Sequence, residues 1–435
     1  MAWGLAFHIV AMAVLFGLVG LPEGVVRAIA AWKEALALFL VGAVALRTAT
    51  GQGGHATVRP ADLLVVGLFA LTGLHLLAAV GGWGPVDEAA GLAYGARDLV
   101  FFMALYFVGR ATPHVAASTT ALRQLWLIGL LTSAIAVVEW IFVTPEMLVA
   151  LGVASYISDF LGASLFTAAN EYGLPDSYWT MIGGRLVQRA GSVHLSSQGF
   201  AIPFLVIMPV ATVWMYLRDR WRSPSAIAGY ALLWFALLLT ITRMTILACT
   251  LQVLLIILLR KRPAPLVALG VAGTAALAVL LAVVPGLAGY VWETLLWQTA
   301  SSDSHSRDYA KGLAAFVQHP LGSGLGTTDA TAARLGLTPL TADNLFLKYL
   351  VELGVAGGLL FIAYLAYCLW TGVRCALTAL DERRRTFGAL GAALALGVAV
   401  NGTTAGIFNL PMLAYLYFWL AGAMVTICNE GESRG

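Results

Sequence analysis

Apolar runs close to twenty residues long follow one another from end to end of this sequence, separated mostly by short loops that carry arginine and lysine. Each run can cross a hydrocarbon core of about 30 Å. Inside that core every backbone N–H and C=O needs a partner within the protein, which leaves helices or a closed barrel. The runs are continuous rather than alternating, and that selects helices. Composition agrees: of 435 residues 60% are apolar and 11% charged, against roughly 45–50% and about 25% in soluble domains. The expected fold class is all-α, a polytopic integral membrane protein of about 12 transmembrane helices, with residues 1–435 as a single transmembrane domain.

Spans are expected at about 4–21, 29–46, 62–81, 98–113, 122–143, 196–217, 225–241, 244–260, 264–284, 345–373, 386–403 and 408–428. The basic residues of the short loops set the orientation. Arg47 with Arg59, Arg110 with Arg123, Arg218/Arg220/Arg222, Arg260/Lys261/Arg262 and Arg374/Arg383/Arg384/Arg385 all fall on one side, expected to be cytoplasmic. Both termini then lie in the cytoplasm. Two long loops, about 144–195 and 285–344, lie outside. The stretch from Arg222 to Arg260 tests this topology. As one helix it would run about 55 Å and put two basic clusters on opposite sides. Two short spans joined by a tight turn at Thr240-Ile241-Thr242-Arg243 avoid both problems and set Arg243 at the outer surface or in a cavity open to it.

The first apolar run lacks a basic leader and a small-residue cleavage site, so it is expected to be retained. The four cysteines, Cys249, Cys368, Cys375 and Cys428, lie in apolar runs or near expected cytoplasmic ends, and no disulfide is expected. The net charge of +3 does not point to nucleic acid. In the second outer loop, Tyr309, Leu313, Phe316 and Val317 recur at helical spacing, so residues 305–318 are expected to form an amphipathic helix lying on something apolar. Pro320 ends it, and Leu321-Gly322-Ser323-Gly324-Leu325-Gly326 reads as a turn.

Several motifs are missing. The chain has no Walker loop, no G-x-G-x-x-G after a strand, no Cys/His zinc spacing and no Asp-x-Asp pair in an outer loop. A metal-independent mechanism without a cofactor is therefore expected. What the outer side does carry is arginine: Arg185, Arg189, Arg243, Arg307 and Arg334, with Lys311 beside them. Arginine is the side chain best shaped to hold phosphate in two places at once. Arg307 and Lys311 are i and i+4 on one helix, where like charges repel and a bound dianion would relieve them. Arg243, in a turn between two spans, is an ionisable group in a costly place and defaults to a functional reading.

A second group opens the tenth span, Thr341-Ala342-Asp343-Asn344-Leu345-Phe346-Leu347-Lys348-Tyr349-Leu350-Val351-Glu352-Leu353-Gly354. Thr341 reads as the N-cap, and the helix start behind it suits an anion. Asp343 in the first turn has two readings. It is a base, or a carboxylate that favours the helix dipole, which would also lower its pKa. Glu352 would lie within the membrane unless it lines a cavity. His194, a few residues before a span, could face the same cavity. His319 before Pro320 suits a helix end, and Glu139 lies one turn from the outer end of its span.

Taken in order, these pieces resemble the O-antigen polymerase and O-antigen ligase superfamily of bacterial surface-polysaccharide assembly. The matching segments are Arg189-Ala190-Gly191-Ser192, the Thr240–Arg243 turn, the stretch from Arg307 through His319-Pro320-Leu321-Gly322-Ser323-Gly324-Leu325-Gly326, and Asp343-Asn344 followed by Glu352-Leu353-Gly354-Val355-Ala356-Gly357. The resemblance implies a glycosyltransferase working on undecaprenyl-diphosphate-linked glycans at the periplasmic face. Arg189, Arg243 and Arg307 would grip the diphosphate. His194, Lys311, Asn344 and Glu352 would line the substrate site, and Asp343 would take the proton of an acceptor hydroxyl. Ligases of the superfamily show His-Asn where this chain has Asp343-Asn344, so the resemblance favours a polymerase of exopolysaccharide, capsule or O-antigen repeat units. The partners implied are lipid-linked glycan donor and acceptor, membrane lipid and a chain-length regulator. A ligase acting on lipid A-core or protein is the alternative. A transporter of lipid-linked sugars fits less well, because the polar residues cluster at span ends instead of the midplane.

Overall fold

Between Arg222 and Arg260 the backbone divides where the charge argument requires. One helix runs Pro224–Leu239 and the next Arg243–Arg260. Ile241 between them has φ +50°, a left-handed conformation that β-branched residues avoid, at a cost of about 1–3 kcal/mol. The computed structural model describes residues 1–51, 57–82, 89–161, 172, 174, 176–182, 185–261, 273, 278, 281–282, 286–296, 298, 300–334, 336–341 and 343–430.

Among the described residues, seven helices are long and apolar enough to cross a membrane, or eight if the bent pair Gly91–Leu99 and Phe101–Ala111 counts as one span. The shorter apolar helices Ala2–Leu18 and Pro224–Leu239 and the helix Glu382–Asn401 occupy three further expected spans. The expected span at 264–284 lies mostly outside the described residues. The protein is all-α and polytopic, and the chain divides into two compact units, Met1–Leu38 with Ser118–Glu293 and Phe39–Ala117 with Thr294–Gly435.

In the first unit the almost wholly buried helical stretch Ser197–Leu217 is central, packed by Thr119–Phe142 and by Arg243–Arg260. Pro209 lies inside it. Proline has no N–H, so the carbonyl four residues earlier, on Leu205, loses its helical donor. In an apolar surrounding that loss is expensive, and Gln252 Nε2 of the neighbouring helix donates to Leu205 O at 2.8 Å. Gln252→Leu keeps the volume and removes the donor. It should destabilise the fold by about 1–3 kcal/mol, read as a lower melting temperature in detergent. At one end Trp126, Trp214 and Tyr230 stack with centroids 5.1 and 6.4 Å apart, tying three helices together.

The first unit also holds a feature not anticipated from the sequence, an antiparallel hairpin of Trp179–Ile182 and Arg185–Gln188 with Thr180 facing Val187. The signal was present, because Gly183-Gly184 between two β-forming runs is a two-residue hairpin pattern. Trp140 Nε1 donates to Gln188 O at 3.1 Å and fastens the hairpin to the Thr119–Phe142 helix.

The second unit is built around Leu345–Thr378, Glu382–Asn401 and Pro411–Asn429. Its interior is aromatic, with Tyr349 stacked on Phe361 at 4.1 Å and Phe408 against Phe418 at 4.7 Å. Where helices come closest, small residues permit it. A Cβ on Gly109 would lie 1.9 Å from the Trp419 carbonyl, and one on Gly422 the same distance from that of Tyr106, the close approach small residues allow between membrane helices.

Leu345–Thr378 is not continuous. Gly354 has φ +71° and ψ −168°, which only glycine adopts without strain. The break strands two carbonyls and an amide of the helix, and the segment from Pro320 through the glycine-rich loop supplies their partners. Ser323 N donates to Val351 O at 2.7 Å, Gly324 N to Glu352 O at 3.3 Å, and Val355 N to Pro320 O at 2.9 Å. A Cβ on Gly354 would meet the Leu321 carbonyl carbon at 2.4 Å, so the loop and the break fit only as glycine.

Candidate functional site

In the first unit the hairpin delivers Arg189 to the Thr240–Arg243 turn. Arg189 N donates to Tyr178 O at 2.7 Å, and Ala190 N to Leu239 O at 3.1 Å. The Arg189 guanidinium donates from Nε to Thr240 O at 2.6 Å and from Nη2 to Thr242 Oγ1 at 3.0 Å. Arg243 is the first residue of its helix, after Thr242 at the N-cap, and its guanidinium lies 5.6 Å from the Tyr290 ring centre. Burial, and to a smaller degree the charge of Arg243, hold Arg189 at about 10, below the usual arginine range. Two cations thus meet at the positive end of a helix dipole, where a cation is disfavoured and an anion is favoured. An anion would relieve both repulsions.

His194 lies in the same unit but is buried, and burial lowers its pKa to about 4, so its ring is neutral near pH 7. Glu139 accepts from the backbone amide of Ser192, and Ser192 Oγ donates to Thr132 O at 2.8 Å. Both arrangements hold the segment after Arg189 against the Thr119–Phe142 helix. Arg185 is exposed on the hairpin.

In the second unit the helix expected at 305–318 runs Ala300–Gln318. Leu313 and Val317 are 55% and 68% exposed, whereas Ala315 is buried and Gly312 packs so closely on Thr341 that a Cβ would lie 2.9 Å from its side chain. Small residues mark the packing face here, as membrane helices prefer. Arg307 and Lys311 share an exposed face, and Lys311 lies 3.8 Å from Asp308.

The helix after Asp343 starts later than expected. Its N-cap is Asn344, not Thr341: Asn344 Oδ1 accepts from Leu347 N at 2.9 Å. Asp343 takes φ +54° and stands outside the helix, so the first-turn dipole effect expected for it is replaced by the opposite shift. Although the residue is exposed, the protein around its carboxyl, then the charges of Asp329 and Asp308, push its pKa up to about 6. Asn344 Nδ2 donates to Thr403 O at 2.9 Å. Tyr309 Oη donates to the same carbonyl, which joins the Ala300–Gln318 helix to the start of the long helix.

Glu352 is fully buried. It accepts from Gly326 N at 3.0 Å and from Thr328 Oγ1, so it fastens the glycine-rich loop and touches no solvent. One turn earlier Lys348 forms a buried ion pair with Asp329 at 3.1 Å, and Asp98 accepts from Thr331 Oγ1 at 2.8 Å. Tyr290 and the Lys348–Asp329 pair were not singled out from the sequence, and Tyr309 only as part of an apolar stripe. Lys348 and Glu352 at i and i+4 in an apolar helix were the available signal. The side chain of Arg334 lies outside the described residues.

Arg189 and Arg243 therefore form one group. Asp343, Asn344 and Tyr309 form another, with Arg307 and Lys311 on the exposed side of the helix that carries Tyr309. The class is a multi-pass, all-α membrane protein with cationic and acidic groups at helix ends. Residues 228–362 match the family model described as O-antigen ligase, which supports membership of the O-antigen ligase and polymerase superfamily. The match takes in Arg243, Arg307, Lys311, Asp343, Asn344 and Glu352, and begins after Arg189 and His194. No curated protein matches the chain significantly.

Proposed function

We propose that the chain is a polysaccharide polymerase that joins undecaprenyl-diphosphate-linked repeat units at the periplasmic face of the bacterial inner membrane. The observation that carries this reading over a ligase is the carboxylate of Asp343, with a pKa pushed up to about 6, where the ligase pattern has an imidazole. The growing lipid-linked glycan is the donor and a new lipid-linked repeat the acceptor. An acceptor hydroxyl attacks the anomeric carbon of the donor sugar, its proton passes to Asp343, and the C1–O bond to the diphosphate breaks. The lipid diphosphate leaves with the bonding electrons, and the configuration at C1 inverts. Arg189, Arg243 and Arg307 neutralise the departing charge, the largest electrostatic demand of the step, and Lys311 adds to that field. Asn344 fixes the backbone beside the base, while His194 and Glu352, both buried, each hold the loop segment of their own unit in place.

A base must be deprotonated to act, and the raised pKa of Asp343 places that change just below neutral. The rate of transfer should rise with pH from about 5 to 7 and level above. Asp343→Asn should remove that limb and lower the plateau about 100-fold. Full activity in Asp343→Asn would take it off the proton path.

Lipid analysis of a deletion strain tests the function itself. Accumulation of single lipid-linked repeats is the expected result. Long lipid-linked chains would assign the protein as a ligase, and loss of every periplasmic intermediate would assign it as a transporter.

A further inference from the structure

The second unit has a cavity of about 510 Å³ at the opposite end of the long helix from Asp343. From Gly354 to Arg374 the helix rises about 30 Å. Arg59, Arg374 and Arg384 line the cavity, together with the exposed Trp370 and Leu380. No acidic residue lines it among the described residues. Asp62, three residues past Arg59, is taken up by Arg110 at 3.2 Å and by Tyr106 at 2.7 Å, and Asp381 caps the amides of Arg383 and Arg384 at 3.2 Å.

Part of the arginine hydrogen bonding is structural. Arg59 Nη2 donates to Asn429 O at 3.3 Å, and Arg384 donates from Nε to Ile427 O and from Nη2 to Cys428 O, both at 3.2 Å. These bonds cap the end of Pro411–Asn429, where cations are favoured. A carbonyl accepts a hydrogen bond without cancelling a unit charge, and each guanidinium has five donors.

We propose that this cavity binds the headgroup of an anionic phospholipid, separately from the glycan site. Guanidinium groups hold a phosphate in two places at once, and basic pockets between helices at a cytoplasmic face bind such headgroups. The rim decides between lipid and a soluble phosphate. Trp370 and Leu380 place an aromatic and an aliphatic side chain beside the cationic floor, matching the junction of headgroup and acyl chain, where aromatic residues gather. The basic residues of this end are those the sequence assigns to the cytoplasmic side.

The test is native mass spectrometry of the full chain in detergent, titrated with phosphatidylglycerol or with phosphatidylcholine of the same acyl chains. Phosphatidylglycerol should be retained one to one at roughly a tenth of the concentration or less. Each arginine near the surface contributes about a fivefold preference. Arg374→Gln, an exposed change that leaves the carbonyl caps in place, should therefore cost about fivefold, and removing all three arginines should abolish the preference. Arg218→Gln, outside the cavity, should change nothing. Equal retention of the two lipids would overturn the proposal, and so would equal losses in Arg374→Gln and Arg218→Gln. Displacement of bound phosphatidylglycerol by inorganic phosphate at comparable concentration would reassign the cavity to a soluble phosphate compound and overturn the lipid reading.

Discussion

Arg243→Ala should lower the proposed glycan transfer by about two to three orders of magnitude while leaving the protein inserted in the membrane. The size follows from what the guanidinium does at the start of its helix. It stands with Arg189 at a positive helix end, and in the proposed reaction a departing diphosphate is the charge both would meet. Removing one preorganised donor from such a site costs about 3–4 kcal/mol, or 10²–10³ in rate. Arg243→Lys separates charge from shape, since lysine keeps the positive charge and loses the planar fork. It should recover part of the rate. The measurement is transfer by purified protein from a lipid-linked donor, and a wild-type rate in Arg243→Ala would exclude it from the diphosphate site.

Lys348→Met unfolds more than it inactivates. Lys348 and Asp329 are a buried ion pair at 3.1 Å, with Glu352 one turn away on the same helix. Removing one partner of a buried pair leaves an uncompensated charge and costs about 3–5 kcal/mol. The melting temperature in detergent should fall sharply, and the yield of folded protein with it. The double change Lys348→Met with Asp329→Asn should restore much of the loss, because it removes both charges. A single variant that melts with the wild type would show the pair to be energetically idle.

The turn at Thr240–Arg243 was legible because length and charge both demanded it. An unbroken helix would have been too long and would have split the arginines between compartments. The start of the long helix was less legible, because Thr341 and Asn344 are both good caps. Only the backbone, with Asp343 at φ +54°, decides between them, and that decision reverses the expected influence on the Asp343 carboxyl. The helix at 305–318 was recognised, but which residues pack it on the rest of its unit was not legible. In a water-soluble protein Leu313 and Val317 would mark the buried side. In a chain built for lipid, apolar residues serve on either side, and Gly312 and Ala315 reveal the contact instead. The meeting of Arg189 with the Thr240–Arg243 turn, about fifty residues apart in sequence, depends on tertiary structure, although both segments were singled out by motif.

The break at Gly354 separates two lengths. An unbroken helix of 34 residues would measure about 51 Å, well beyond the bilayer's apolar core. After the break, 355–378 measure about 36 Å, which a modest tilt accommodates. The nine residues before it are moored to the glycine-rich loop, not to the span. A thicker or thinner membrane can therefore change the slant of the lower segment without dragging Asp343 along. The start of the long helix, with Asp343 beside it, is decoupled from bilayer thickness.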